Sequence, residues 1–142
     1  MILKRVFDVT TSIVAILVLF PVLLIVAVIV RLETPGPAIF QQVRIGRNGR
    51  PFVMYKYRTM ADCNRESGPR VTVSGDSRVT RFGRILRRYK IDELPQLLNV
   101  VKGDMSLVGP RPEVEEFVLY YPGDIKDKIL SIRPGITDNA AV

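Results

Sequence analysis

Ile13-Val14-Ala15-Ile16-Leu17-Val18-Leu19-Phe20-Pro21-Val22-Leu23-Leu24-Ile25-Val26-Ala27-Val28-Ile29-Val30 is the stretch whose reading decides the fold. These 18 residues carry no charge and no hydrogen-bonding side chain, the composition of a membrane segment. As a straight helix at about 1.5 Å per residue the run is roughly 27 Å long, just short of a hydrocarbon core of about 30 Å. Pro21 sits near its middle, where it removes one backbone hydrogen bond and favours a kink. The flanks add a constraint, because Lys4 and Arg5 lie before the run and Arg31 and a very basic segment follow it. A cleaved signal peptide does not fit: the run is too long, lacks a small-residue cleavage motif and continues directly into Arg31-Leu32-Glu33. A single span leaves positive charge on both sides, whereas the positive-inside rule wants both ends cytoplasmic. A helix-break-helix that bends at Pro21 and leaves by the leaflet it entered satisfies both ends. Spanning helices also tolerate proline, so on these residues alone both topologies stand.

Working outward, the whole chain of 142 residues suits one domain, and a mean hydropathy of +0.17 at 25% charged residues is explained by this single segment. The absence of histidine excludes a Ser-His-Asp or Cys-His site, a His-ligated metal and an imidazole base. Cys63 alone supports neither an internal disulfide nor a multi-cysteine zinc site, which fits a reducing compartment. The net charge of +7 is unevenly spread: residues 44–90 hold 13 Lys/Arg against three acids, and residues 92–142 hold five against nine. A basic stretch directly after a membrane segment is either a solvated face or a surface for phosphate groups, of anionic lipid headgroups or of a nucleotide. It matches no nucleic-acid motif, so no nucleic acid is expected as a partner. Near anionic lipid each such cation contributes about 1 kcal/mol.

Residues 79–90 have helical periodicity, with Val79, Phe82, Ile85/Leu86 and Tyr89 as one stripe and Arg81, Arg84 and Arg88 as another. Such a helix lies either in the membrane interface or in the core of a small domain. Phe40–Gly46 and Phe52–Arg58 form a predicted β-hairpin closed by Asn48-Gly49, with Phe52, Met54, Lys56 and Arg58 on one face of the second strand. Short helices are expected over 94–101, 113–121 and 124–132, and a polar, mobile loop over 63–76. The fold class is therefore α+β, mostly α: an N-terminal membrane segment (1–32), then a small domain (33–142) with amphipathic helices and a short hairpin.

Three constellations bear chemistry. Asp92-Glu93 precedes Leu94-Pro95-Gln96 and reads either as helix-capping acids or as a carboxylate nucleophile beside a cation-holding carboxylate. Aspartate, with a reference pKa of about 3.9, is already ionised and needs no activating base. Gly109-Pro110-Arg111-Pro112 is a rigid turn, and its flanking prolines reduce the entropy lost in presenting a guanidinium to an anion. Lys56 and Arg58 share a strand face, as solvated charges or as phosphate contacts. Together these parts suit phosphoryl transfer, in which the protein positions groups and neutralises charge.

The order of Lys4-Arg5-Val6-Phe7-Asp8, Tyr55-Lys56-Tyr57-Arg58-Thr59-Met60, Asp92-Glu93-Leu94-Pro95-Gln96, Gly109-Pro110-Arg111-Pro112 and Pro134-Gly135-Ile136-Thr137 resembles the bacterial sugar transferase family, the monotopic phosphoglycosyl transferases, over nearly the whole chain. The resemblance implies a re-entrant helix on the cytoplasmic face of the bacterial inner membrane. It further implies transfer of a sugar-1-phosphate from a UDP-sugar donor to a polyprenyl (undecaprenyl) phosphate acceptor, through an aspartyl-phosphosugar on Asp92 with release of UMP, as the first membrane step of glycoconjugate assembly. Carried onto matching positions, Glu93 ligates Mg²⁺ beside Asp92, Arg111 and Arg87 contact phosphate, and Lys56, Arg58 and Arg78 are further phosphate candidates. Phe20 stands before the bend proline where the family commonly has a small polar residue. The family also implies some tens of residues beyond the Pro-Gly-Ile-Thr motif, so the alternative reading is an inactive, truncated homologue serving as a membrane-anchored binding or scaffold protein. A homo-oligomer is left open, as are the donor sugar and the glycan pathway.

The two topologies separate by experiment. With both ends cytoplasmic, Cys63 in intact cells resists a membrane-impermeant thiol reagent until the cells are opened; labelling in intact cells would overturn the re-entrant arrangement.

Overall fold

A computed structural model describes residues 2–61 and 76–138. Helix α1 runs Ile2–Glu33 with Pro21 inside it, so the expected helix-break-helix is assigned as one continuous helix rather than two. It is long and apolar enough to cross a membrane, and only 11% of its most apolar window is buried. Its buried residues, Asp8, Ser12, Val26 and Val30, fall on one stripe along the axis. Leu17, Val18, Phe20, Leu24 and Ile25 face outward with nothing over them among the described residues.

Both ends of α1 are held by the same folded body. At the start, the Asp8 carboxylate accepts from Lys4 Nζ (3.0 Å) and Ser106 Oγ (2.6 Å), and Arg5 donates to the carbonyls of Val101 and Met105. At the other end, Tyr57 donates its hydroxyl to Leu23 O (2.8 Å), and Arg58 donates to Thr34 O (2.5 Å) and Pro35 O (2.8 Å). Thr34 and Pro35 directly follow α1, so this guanidinium holds the turn that leaves the helix, and it also reaches the Val30 carbonyl of the last turn at 3.5 Å. Arg58 was expected on the phosphate-facing side of its strand. The strand ends one residue earlier, and the side chain, only 6% exposed, goes to α1 instead.

Strands β1 (Ile39–Ile45) and β2 (Pro51–Tyr57) pair antiparallel, with Ile39 opposite Tyr57 and Ile45 opposite Pro51. The expected Asn48-Gly49 turn is present, both residues at positive φ, the conformation for which Asn and Gly are suited. Opposite faces of β2 serve two small cores. Tyr57 packs with Val26, Val30 and Leu86, and Met54 with Val100 and Met105.

Helix α2 (Arg81–Arg88) is N-capped by Thr80, whose hydroxyl accepts from Gly83 N. Its buried face differs from the expected stripe, because Gly83 and Leu86 are inside while Ile85 and Tyr89 are exposed beside Arg81, Arg84 and Arg88. The reason is Gly83. A Cβ there would collide with the Thr59 carbonyl, so the helix approaches through a residue that contributes nothing to a hydropathy pattern. Next come a 3₁₀ segment, Ile91–Gln96, and α3 (Leu97–Lys102) where one helix over 94–101 was expected. Helices α4 (Glu115–Val118) and α5 (Gly123–Ser131) are the two expected over 113–121 and 124–132, the first of them shorter than expected. Strands β3 (Ser106–Val108) and β4 (Gly135–Thr137), a parallel pair, were not foreseen. The loop expected over 63–76 lies, apart from Asp76, outside the described residues.

Arg58→Ala leaves the Thr34 and Pro35 carbonyls without their guanidinium donor and is expected to cost about 1.5–3 kcal/mol, the range for hydrogen bonds to charged groups. A fall in Tm of the detergent-solubilised protein checks this, and an unchanged Tm would show that these carbonyls do not need the guanidinium.

Candidate active site

Lys56, the last site-facing residue of β2, donates to Glu93 Oε1 at 3.0 Å. Arg111, on the turn after β3, approaches the same oxygen at 3.9 Å with an exposed side chain. Arg87, in the last turn of α2, donates to Thr59 Oγ1 at 2.8 Å and acts electrostatically on Asp92. The structure thus brings together five of the expected site residues: Asp92, Glu93, Lys56, Arg87 and Arg111.

The chain reaches Asp92 through Lys90, which adopts φ 58°, ψ 20°. A non-glycine residue in this left-handed region costs about 1–2 kcal/mol. The kink turns the path from α2 into the 3₁₀ segment and faces two consecutive carboxylates toward β2. Neither acid caps a helix: the residue before the 3₁₀ segment is Lys90, and it makes no side-chain cap.

Asp92 is 8% exposed, and its Oδ1 is buried without a hydrogen-bond partner among the described residues. Burial raises its pKa above the ordinary carboxylate value, the charges of Lys56 and Arg87 pull it back down, and Glu93 adds to the rise. The orphaned oxygen keeps a lone pair available to a cation or an electrophile. No group of three or more His, Cys, Asp or Glu side chains is assembled among the described residues, so no all-protein metal cage exists there. Asp92 with Glu93 instead fits the way Mg²⁺ is commonly held, by one or two carboxylates with phosphate oxygens and water.

Arg78 meets the group through its partner Asp76, on which the charge of Arg87 also acts. Its guanidinium holds Asp76 at 2.6 Å, and those hydrogen bonds pull the Asp76 carboxyl down to about 2. A recess beside Glu93 is lined by Lys56, Glu93, Arg111, Met54 and Ile136 together with two residues that were not foreseen, Arg44 and Gln96. Gln96 lay in a quoted motif and Arg44 in a predicted strand, but neither position carried a signal of chemistry.

The profile of the family described as bacterial sugar transferase matches residues 1–142. The chain belongs to the bacterial sugar transferase family. Among the relatives of this sugar transferase, UDP-N-acetylgalactosamine-undecaprenyl-phosphate N-acetylgalactosaminephosphotransferase of Aeromonas hydrophila is 43% identical over 142 residues, covering 99% of this chain and 34% of the relative. UDP-glucose:undecaprenyl-phosphate glucose-1-phosphate transferase of Caulobacter vibrioides is 50% identical over 143 residues, covering 98% of this chain and 53% of the relative. The exopolysaccharide production protein PSS of Rhizobium leguminosarum bv. phaseoli is 52% identical over 112 residues, covering 80% of this chain and 56% of the relative. The chain therefore spans about a third to a half of the length of these relatives. The family and the exposed apolar α1 together make this a membrane-associated protein.

The raised pKa of Asp92 has a signed consequence. A carboxyl whose folded pKa lies above its unfolded value contributes stability that is present below the unfolded pKa and is lost as pH rises through the folded one. Asp92→Asn, which stays neutral, should therefore melt a few degrees above the parent protein at pH 7. The gap should close toward pH 4; a gap independent of pH would show that the carboxylate is not the cause.

Proposed function

We propose that this sugar transferase moves a sugar-1-phosphate from a UDP-sugar to polyprenyl phosphate, on the cytoplasmic face of the bacterial inner membrane, and releases UMP. The observation that carries the reading is Asp92, a buried carboxylate with an unpartnered oxygen beside Lys56 and Arg87. In the first step an Asp92 oxygen bonds to the sugar-linked phosphorus, and the bond from that phosphorus to the bridging oxygen breaks, its electron pair leaving with UMP. In the second, an anionic oxygen of polyprenyl phosphate attacks the same phosphorus and Asp92 departs as a carboxylate. Neither step needs a proton removed, which suits a chain without histidine.

Lys56, Arg87 and Arg111 offset the phosphate charge, and the exposed Arg111 is available to a phosphate entering from solvent. Asp92 and Glu93 would hold Mg²⁺, which supplies charge neutralisation at the phosphate oxygens. For topology, the re-entrant arrangement is supported by α1 being gripped near Lys4 and again near Thr34 by one folded body, which a straight span with that body on one side does not accommodate. The exposed face of α2, with Arg81, Arg84, Arg88, Ile85 and Tyr89, suits contact with anionic headgroups. The relatives named above differ in donor, N-acetylgalactosamine in one and glucose in another, so the proposal stops at the class of UDP-sugars feeding glycoconjugate assembly.

Membranes containing the chain, given Mg²⁺, undecaprenyl phosphate and a panel of UDP-sugars, should release UMP from at least one. Asp92→Asn should lower that rate on the order of 10³-fold or more, as loss of a nucleophile does. Full turnover by Asp92→Asn would overturn the nucleophile, and no release from any donor would favour a binding or scaffold role.

A further inference from the structure

Thr59 follows Lys56, Tyr57 and Arg58 in the chain, and the proposed steps leave it unused. It is 7% exposed and meets helix α2 at three successive points. Its carbonyl accepts from Thr80 N at 3.0 Å, at the start of the helix. A Cβ on Gly83 would collide with that same carbonyl, so the helix rests on it there. Its hydroxyl accepts from Arg87 Nε at 2.8 Å, in the last turn. Thr80, Gly83 and Arg87 are spaced three and four residues apart, which sets them on one face of the helix. The next residues fix the segment further, through Ala61 N to Arg78 O at 2.9 Å and a bridge between Met60 and Val79.

Backbone and side chain of Thr59 thus do separate things. The carbonyl docks α2, which a residue of any type can do, whereas the hydroxyl's hydrogen bond is with Arg87. A long side chain otherwise samples many rotamers. Held at Nε, the guanidinium keeps its two terminal nitrogens free, and neither makes a hydrogen bond to a described residue. That pair of N–H groups points end-on, the arrangement that meets two phosphate oxygens at once.

The same stretch of chain says where those nitrogens lie. Lys56 holds Glu93 Oε1 at 3.0 Å, so residues 56–59 touch both Glu93 and Arg87. From the other direction, Lys90 N donates to Arg87 O and Glu93 N to Lys90 O, each at 3.3 Å, two turns in series that carry the chain from Arg87 past Asp92. Arg87 and the acidic pair are therefore held to one another from two sides.

We infer that Thr59 is a positioning residue, whose hydroxyl holds Arg87 so that its two terminal nitrogens face the phosphates of a UDP-sugar beside Asp92. This rests on the proposed entry of a UDP-sugar into the site, but not on Asp92 being the nucleophile. With the arginine ordered before the ligand arrives, binding does not carry the cost of ordering it.

UDP binding tests this, measured by calorimetry on the full chain in detergent with Mg²⁺. Thr59→Val keeps the shape and the docking carbonyl and removes the acceptor. It should melt close to the parent protein and bind UDP about fivefold more weakly, the scale of ordering one long side chain on binding. Thr59→Ser restores the acceptor and should recover most of the affinity. Arg87→Ala should weaken UDP binding at least as much, and adding Thr59→Val to it should change nothing further, because Thr59 acts through Arg87. A role in packing alone would keep the Thr59→Val loss in the Arg87→Ala background and leave it unrescued by serine, and either result would overturn the inference. So would unchanged affinity in Thr59→Val, or a parent protein that binds no UDP at millimolar concentration. Thr59→Ala also lacks the acceptor and takes the place of Thr59→Val should that variant not fold. None of these arms depends on turnover, so failure of the nucleophile assignment is read separately, as UMP release retained by Asp92→Asn.

Discussion

The end of β2 is the constraint on which the rest of the molecule depends. Three consecutive residues there reach three different targets: Lys56 the Glu93 carboxylate, Tyr57 the Leu23 carbonyl, and Arg58 the carbonyls where α1 ends. Alternation along a strand sends neighbouring side chains to opposite faces, so one short segment faces the acidic pair on one side and the apolar helix on the other. The distance between the apolar helix and the acidic pair is thereby set by backbone geometry. A second grip at Lys4, Asp8 and Ser106 holds the start of α1 to the same body.

Within that frame the site is a balance of opposed electrostatic effects. Burial disfavours the ionised form of Asp92, and Lys56 and Arg87 favour it. A carboxylate dry enough to be a nucleophile is also one whose charge weakens the fold, and the left-handed Lys90 that aims it adds backbone strain. Stability is given up where the chemistry needs it, which is common at functional sites. Arg44 shows the same pattern, a cation that burial disfavours, Glu113 favours and Arg111 disfavours.

Much of this was legible beforehand because it is local. An apolar run of 18 residues, an Asn-Gly turn between alternating strands and adjacent acids before a proline each announce themselves within a few positions. The β3–β4 pair does not. Each strand is three residues long, too short for a period to register, and the partners are separated by two helices. Their approach depends on glycines, since a Cβ on Gly135 would overlap the Gly109 backbone, and that contact seats the turn carrying Arg111. Gly83 hid the true inner face of α2 for the same reason, because a missing side chain leaves no trace in a hydropathy pattern.

By itself, then, the sequence determined the apolar helix, the hairpin, the excluded chemistries and the adjacency of the two acids, since composition and short-range periodicity suffice for each. Only the tertiary structure decided which cations serve that pair. A pattern of charges says which face of a strand or helix a side chain occupies, but not what stands opposite it. Lys56 and Arg58 are two residues apart on the same predicted face, yet one meets Glu93 and the other holds the turn that leaves α1, because β2 ends between them. Arg44 and Gln96 come beside Glu93 by the same logic: long-range packing brings strand β1, the 3₁₀ segment and the Arg111 turn around one recess.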